Sequence, residues 1–126
     1  MKQTITLGDV QSIGNTIFPN WDSLIGETKL NSVALYSIIA LKKKIQSHYV
    51  DIQDTVMQVA LKHGGEVTTQ GMLRVPPESV EAVNKELEPI YSQKVEIECV
   101  PIKLGPSDEV PARLMEAFFD FVEIKE

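Results

Sequence analysis

Cysteine and histidine are scarce in this chain: its 126 residues include one cysteine, Cys99, and two histidines, His48 and His63. A single cysteine excludes an internal disulfide and any zinc site built on paired cysteines. The histidines are fifteen positions apart on one predicted helix, about 22 Å, and cannot share a metal ion. His48 with Asp51 offers two ligands at best, and no third is near in sequence. We therefore expect no metal and no cofactor.

Long hydrophobic runs and nucleotide-binding motifs are also missing. No apolar run approaches 18 residues, and no basic segment followed by an apolar stretch opens the chain. We expect a cytoplasmic protein without a membrane partner. The P-loop, the dinucleotide fingerprint and the Gly-x-Ser-x-Gly elbow are absent, and Gly64-Gly65 follows a predicted helix instead of preceding one. A binding or structural role is favoured, and no catalytic or cofactor-binding residue is predicted.

Positive charge is lacking in the second half of the chain. The net charge is −6; residues 1–65 hold six basic and five acidic residues, and residues 66–126 hold six basic and thirteen acidic ones. This argues against a nucleic-acid partner, which requires a basic patch. The cluster Lys42-Lys43-Lys44 fans over about 200° of helix and indicates a solvated face. One alternative stays open: an inhibitor whose acidic half mimics nucleic acid.

The strongest pattern present is a helix from Leu30 to His63 that contains neither glycine nor proline. Its apolar residues recur about every 3.6 positions, which is typical of a helix with one buried face. The first turns, Val33 to Leu41, are apolar nearly all round and predict burial on several sides. The apolar positions are Leu30, Ala34, Ile38, Leu41, Ile45, Tyr49, Ile52, Val56 and Val59.

This helix is long for so small a chain. About 33 residues span roughly 50 Å, whereas a compact domain of this size is about 35 Å across. Either the helix kinks, or its outer part, about residues 45–63, projects and lies against another copy of the chain. We favour the second and predict an interface through Ile45, Tyr49, Ile52, Val56 and Val59. On this hypothesis Ile52→Asp shifts an oligomer toward monomer or unfolded chain.

Before the long helix, the sequence predicts a short strand over residues 3–8 and a short helix. Asp9 is expected to cap that helix, and Pro19 to end it. Phe18 and Trp21 lie in the turn-prone connection that follows. Aromatic side chains in such a place more often pack against the core beside a loop than bind a ligand.

After the long helix, residues 66–75 favour a short hairpin or an extended crossing around Gly71. A second amphipathic helix is expected from Glu78, with Pro89 kinking or ending it before Ile90. Residues 94–99 alternate polar and apolar as a strand does, and the apolar phase then slips near Pro101.

The last part of the chain predicts one more short helix, which Ser107 is expected to cap. Residues 121–126 are expected to trail as an extended piece. The apolar residues assigned to this helix are Leu114, Met115, Phe118 and Phe119.

Glu96 and Glu98 supply the one alternative that involves catalysis. They project from the same face of the predicted strand, about 7 Å apart, a spacing compatible with a general acid and base. Alternating acids also cover the solvent face of many edge strands, where charge discourages unwanted pairing. A small hydrolase or metal-dependent enzyme therefore stays an alternative, and it requires both carboxylates to line a pocket.

Five segments follow one another in a recognisable order: Ala34-Leu35-Tyr36-Ser37-Ile38, Arg74-Val75-Pro76-Pro77-Glu78, Lys94-Val95-Glu96-Ile97-Glu98, Val100-Pro101-Ile102-Lys103-Leu104 and Phe119-Asp120-Phe121-Val122-Glu123-Ile124. Taken in that order, they resemble a family of small proteins of unknown activity that phages and bacterial prophages encode. The resemblance covers the chain from about Leu24 onward and leaves out Phe18 and Trp21. It carries over no catalytic residue, because the family has no assigned activity.

The sequence thus predicts a single α+β domain over residues 1–126. It has one long central helix, two or three shorter helices and a small, mainly antiparallel sheet. The leading functional hypothesis is a non-enzymatic phage or prophage protein that forms a homo-oligomer. Its role is expected to be structural or accessory, with a phage or host protein as the further partner.

Overall fold

The computed structural model describes residues 2–124 and shows one long helix with shorter helices and strands around it. Three short 3-10 turns occur at Phe18–Asn20, Pro77–Ser79 and Phe119–Phe121. The helices are α1 (Leu7–Ile17), α2 (Trp21–Gly26), α3 (Ser32–Lys62), α4 (Val80–Tyr91) and α5 (Ala112–Ala117). The strands are β1 (Lys2–Thr6), β2 (Glu66–Val67), β3 (Leu73–Arg74), β4 (Lys94–Glu98), β5 (Ile102–Leu104) and β6 (Val122–Ile124).

Helix α3 confirms the predicted long helix to within two residues at each end. The Asn31 side chain caps its first turn by accepting a hydrogen bond from the backbone N–H of Ala34 at 2.9 Å. Beyond Lys62, Gly64 has a φ of 86°, a left-handed conformation that glycine adopts without steric cost. The predicted stop at Gly64-Gly65 therefore lies where the backbone requires it.

A contact distant in sequence also holds the start of α3. Asp108 accepts hydrogen bonds from the backbone N–H and the side-chain amide of Asn31, each at 3.1 Å, and from the backbone N–H of Gly105 at 2.7 Å. The Gly105 bond is the main reason that the pKa of Asp108 lies below its ordinary value. The loop before α5 is thereby tied to the capping residue of the long helix.

The strands of the described residues form three separate pairs. Strands β1 and β4 are antiparallel, with Lys2 opposite Glu98 and Thr6 opposite Lys94. Strands β2 and β3 form the antiparallel hairpin expected around Gly71, whereas β5 and β6 pair in parallel. The α+β class with a long central helix and mainly antiparallel strands is confirmed.

The core lies between one face of α3 and the elements around it: α1, α4 and β5 pack directly on α3, and β4 and α5 add buried residues to the same cluster. Four isoleucines and leucines of α3 are buried there, which follows from their spacing along one helix face. The largest side chains that are fully buried are Val10, Ile17, Ile38, Leu41, Ile45, Ile102, Leu114, Phe118 and Phe121.

Helices α1 and α3 approach closely where a glycine faces a tyrosine. A Cβ atom on Gly14 would lie 2.2 Å from Cδ2 of Tyr49, so only glycine leaves room for the ring. The Tyr49 hydroxyl donates to Oδ1 of Asn15 at 2.7 Å, and the ring of Phe18 meets the Tyr49 ring edge-on, with centroids 5.0 Å apart. Tyr49 is thus a packing residue of this helix pair.

Several predicted helix boundaries are wrong in detail. Thr6, not Asp9, occupies the N-cap of α1; Asp9 is its capping-box partner and accepts from the backbone N–H of Thr6 at 3.1 Å. Helix α4 contains Pro89 and continues through Ile90 to Tyr91. Pro89 has no N–H to donate to the backbone carbonyl of Lys85, so the helix lacks that one hydrogen bond and still continues for two residues.

The C-terminal helix also differs from its prediction. Helix α5 begins at Ala112 after Pro111, so Ser107 does not cap it. Phe118 is buried and 1% exposed, whereas its neighbour Phe119 is 65% exposed and lies outside the helix. The predicted extended end is a strand over Val122–Ile124; residues 125 and 126 of that prediction lie outside the described residues.

Candidate functional site

The side of α3 that faces away from the core exposes several large apolar side chains. Among the described residues, eleven large hydrophobic side chains are exposed, and five of them lie on this helix. Their exposed fractions range from 38% for Met57 to 69% for Tyr36. We define the outer face of α3 by the residues Val33, Tyr36, Ala40, Lys43, Ser47, Val50, Asp54, Met57 and Leu61.

Three further exposed apolar side chains lie on the hairpin that follows α3 directly: Val67, Met72 and Leu73. The hairpin and α3 together account for eight of the eleven exposed large hydrophobic residues. Exposed apolar residues scattered singly are normal, whereas a concentration on one element is typical of an interaction surface. The outer face of α3, together with the hairpin that follows it, is therefore the strongest candidate site among the described residues.

The predicted interface residues lie on the opposite side of the helix. Ile45 and Ile52 are buried in the chain's own core, at 0% and 2% exposed. Tyr49 and Val56 pack against that core, and Val59 is half-buried. Val50 is five residues beyond Ile45, about 140° further round the helix. The predicted stripe is therefore already covered within this chain; its contact with a second copy stays a prediction.

The expectation that the first turns of α3 are buried on several sides holds only in part, since Leu35 and Ile39 are half-buried but one side is exposed. Ala34, Ile38 and Leu41 are buried, but Val33 is 64% exposed and Tyr36 is 69% exposed. A run that is apolar all round indicates that more than one side can be buried, but not that this chain covers each side itself. A second spacing, of three and four residues from Val33 to Leu61, was the sequence feature that could have revealed the outer face.

Glu96 and Glu98 lie on the exposed face of β4. Thr4 is directly opposite Glu96 on β1, and Lys2 is directly opposite Glu98. Neither carboxylate lines any of the four surface clefts described in the molecule. The observed arrangement is that of a solvent-facing strand pair, with Lys2 supplying the opposite charge across the pair.

His48 and Asp51 line a cleft of about 170 Å³ with the apolar side chains of Leu7, Ile90 and Val95. Within residues 2–124, no group of three or more His, Cys, Asp or Glu side chains could hold a metal ion. Cys99 is buried, and burial raises the pKa of its thiol, as expected of a small hydrophobic core residue.

The aromatic side chains before α3 pack against the core, as predicted. Phe18 meets Tyr49, and Trp21 meets Phe118 with ring centroids 6.4 Å apart. The Lys42 ammonium lies 5.9 Å from the Phe18 ring and 5.5 Å from the Trp21 ring, within range of a cation–π interaction with both. The first lysine of the cluster thus rests on the aromatic rings.

A small charged cluster fastens the end of α3 to α4. Lys62 Nζ donates to one oxygen of Glu86 at 2.5 Å, and His63 Nε2 lies 2.6 Å from the other. The hydrogen bond from Lys62, followed by that with His63, holds the pKa of Glu86 below its ordinary value of 4.5. The carboxylate form of Glu86 is therefore favoured in the folded state.

This cluster predicts a pH-dependent contribution to stability. Because the folded-state pKa of Glu86 is lowered, its contribution is present above pH 4.5 and is lost as the pH falls through the lowered value. Glu86→Gln should reduce the free energy of unfolding at pH 7, and its difference from wild type should shrink in acid. Urea denaturation at several pH values measures both, with the exposed Glu88→Gln on α4 as control. A Glu86→Gln deficit that is independent of pH would contradict the assignment.

The chain matches no protein-family model, no curated protein and no solved structure. None of the helices within residues 2–124 combines the length and hydrophobicity that a bilayer crossing requires.

Proposed function

We propose that this protein is a non-enzymatic, self-associating component with a structural or accessory binding role, and that its contact surface is the outer face of α3. The observation that carries the proposal is the concentration of exposed apolar side chains on one long helix. Exposed apolar surface on a rigid element is what protein interfaces bury. A helix of 31 residues is about 46 Å long and presents an extended contact surface.

The fold supports this choice of face over the stripe first predicted. Ile45 and Ile52 stabilise the monomer's own core, so a folded chain cannot offer them to a partner. Val50, Met57 and Leu61 lie on the same helix and are between 38% and 47% exposed. Self-association through the outer face leaves the core intact and requires no rearrangement of the monomer.

The resemblance of several segments to small phage and prophage proteins supports the same role. Virion components and phage accessory proteins act largely through protein contacts, so a cytoplasmic, self-associating protein is in keeping with such a source. We propose a phage or host protein as the further partner. The acidic second half leaves the nucleic-acid mimic as a prediction; binding to a basic host protein that weakens with salt would support it.

Self-association is tested by comparing Val50→Asp with Val80→Asp. Both valines are exposed on helices, at 47% and 43%, but Val80 begins α4 and lies off the outer face. We expect an oligomer for the wild type and for Val80→Asp, and at least a tenfold weaker association for Val50→Asp, since self-association would then bury an added charge in the middle of the outer face. Sedimentation velocity gives the association constants, and circular dichroism checks the folding of each variant. A wild-type chain that stays monomeric at millimolar concentration would contradict the proposal.

A further inference from the structure

The outer face of α3 has a regular spacing. From Val33 to Leu61 its residues are alternately three and four positions apart, which forms two interleaved series with a period of seven. This is the spacing of the contact positions in a two-stranded coiled coil. One series is Val33, Ala40, Ser47, Asp54 and Leu61, and the other is Tyr36, Lys43, Val50 and Met57.

The buried face has a similar repeat, since Ile38, Ile45 and Ile52 are seven residues apart, but the chain's own core covers it. The outer face has no such cover among the described residues, as the exposure of its apolar side chains shows. A period of 3.5 drifts by about 20° per heptad on a straight helix, and a second helix that crosses at about 20° follows that drift. The outer face is thus matched to another long helix. Within the chain, the long helix that carries this pattern is α3 itself, which points to a second copy as the occupant.

Charge decides how the second copy is oriented. Lys43 and Asp54 lie in the middle of the outer face, between apolar residues toward either end. In a parallel pair in register, Lys43 would meet Lys43 and Asp54 would meet Asp54, so like charges would oppose each other twice. In an antiparallel pair centred between residues 48 and 49, Lys43 of each copy meets Asp54 of the other. The antiparallel pair therefore has two favourable charge contacts where the parallel pair has two unfavourable ones.

The same register pairs most of the other residues of the outer face, with Ser47 opposite Val50 and with Val33 beyond the paired stretch. Tyr36 of one copy faces Leu61 of the other, and the small Ala40 faces the long side chain of Met57. A large side chain opposite a small one fills space without overpacking. A two-fold axis produces each contact twice, as an isologous dimer requires.

We propose that two copies pair through the outer faces of α3 in an antiparallel arrangement, with Lys43 of each copy opposite Asp54 of the other. This arrangement rests on the proposed self-association and specifies its partner, its direction and its register. The occupant is a second copy of this chain, and the hairpins that follow α3 then lie at opposite ends of the helix pair.

Charge reversal tests the register. Lys43→Glu and Asp54→Lys should each weaken dimerisation about tenfold or more, since each places like charges opposite each other at two symmetric positions. The double variant Lys43→Glu with Asp54→Lys should restore the wild-type association constant. Sedimentation velocity measures all four proteins. Single variants that dimerise as well as the wild type, or a double variant weaker than either, would overturn the register.

Cross-linking tests the direction. Tyr36 and Leu61 are about 37 Å apart along one helix but adjacent across an antiparallel pair. Chains with Tyr36→Cys and chains with Leu61→Cys, carrying tags of different size, are treated with a short bifunctional maleimide. We expect cross-links in the mixture between the two kinds of chain and none within either kind alone. Cys99 is buried and should react slowly.

The results of these experiments distinguish a failure of the antiparallel arrangement from a failure of the proposed self-association. A dimer in which Tyr36→Cys chains link to each other is parallel, and it would overturn this arrangement while leaving self-association intact. A wild-type monomer would overturn both. Tyr36→Cys and Leu61→Cys chains that each remain folded and dimeric, yet do not link in the mixture, would also overturn the arrangement.

Discussion

Ile52→Asp is expected to destabilise the folded chain severely, whereas Met57→Asp is expected to leave its stability nearly unchanged. Ile52 is 2% exposed in the core between α3 and its neighbours, and Met57 is 38% exposed on the outer face of the same helix. A carboxylate at Ile52 would be buried without a partner or held neutral, and the methylene packing would be lost as well. The cost is about 4 kcal/mol or more, a large part of the 5–15 kcal/mol that stabilises a typical domain.

Urea denaturation followed by circular dichroism measures this difference, and sedimentation velocity measures the state of association. Met57→Asp should keep the helical spectrum and the unfolding midpoint of the monomer while losing self-association. Both variants place an aspartate on α3, so comparing them separates the effect on stability from the effect on self-association. A folded, monomeric Ile52→Asp variant would instead support the interface that the sequence pattern first predicted.

Phe118→Ala is expected to cost about 3–5 kcal/mol, the usual range for removing a buried phenylalanine. Phe118 is 1% exposed at the end of α5, and its ring meets the Trp21 ring edge-on. The neighbouring Phe119 is 65% exposed and supplies a matched control, for which Phe119→Ala should change the free energy of unfolding by about 0.5 kcal/mol at most.

Both phenylalanine variants are compared by urea denaturation under the same conditions. Equal losses at the two positions would contradict the described packing of the C-terminal segment. The comparison also checks a point where the sequence prediction was wrong, since Phe119 was assigned to the same short helix as Phe118 and lies outside it.

Periodicity located the long helix and the strand predicted over residues 94–99, and the residues around Gly71 indicated a hairpin or an extended crossing, because local sequence dictates each of these elements. An uninterrupted helical spacing of apolar residues predicts a helix, and Gly64 ends it. The alternation of polar and apolar residues predicts a strand. The features that were missed depend on residues far apart in sequence. Asp108 holds Asn31, and β5 pairs with β6, through contacts that no local pattern contains.

The candidate site was predicted only in part for the same reason. An apolar stripe shows that a helix face is covered but not whether the cover is the same chain or another one. The stripe through Ile45 and Ile52 is covered by the chain's own core. The outer face was harder to recognise because Lys43, Ser47 and Asp54 interrupt its apolar residues. In the proposed dimer these polar residues determine whether the two helices pair parallel or antiparallel. The residues that give the contact its specificity are therefore the same ones that weaken the hydrophobic pattern.

The pairing of β1 with β4 also sets an order of folding during synthesis. At about 5–20 residues per second, roughly 5 s or more pass between the synthesis of β1 and that of β4. Helix α1 can form in that interval, because its capping box joins Thr6 and Asp9 locally. Until β4 is synthesised, the backbone N–H and C=O groups of β1 have no partner strand. During that time β1 is open to incorrect pairing with other strands. A nascent chain halted before β4 should therefore carry a loose first strand, and it also lacks the core residues Ile102, Leu114, Phe118 and Phe121.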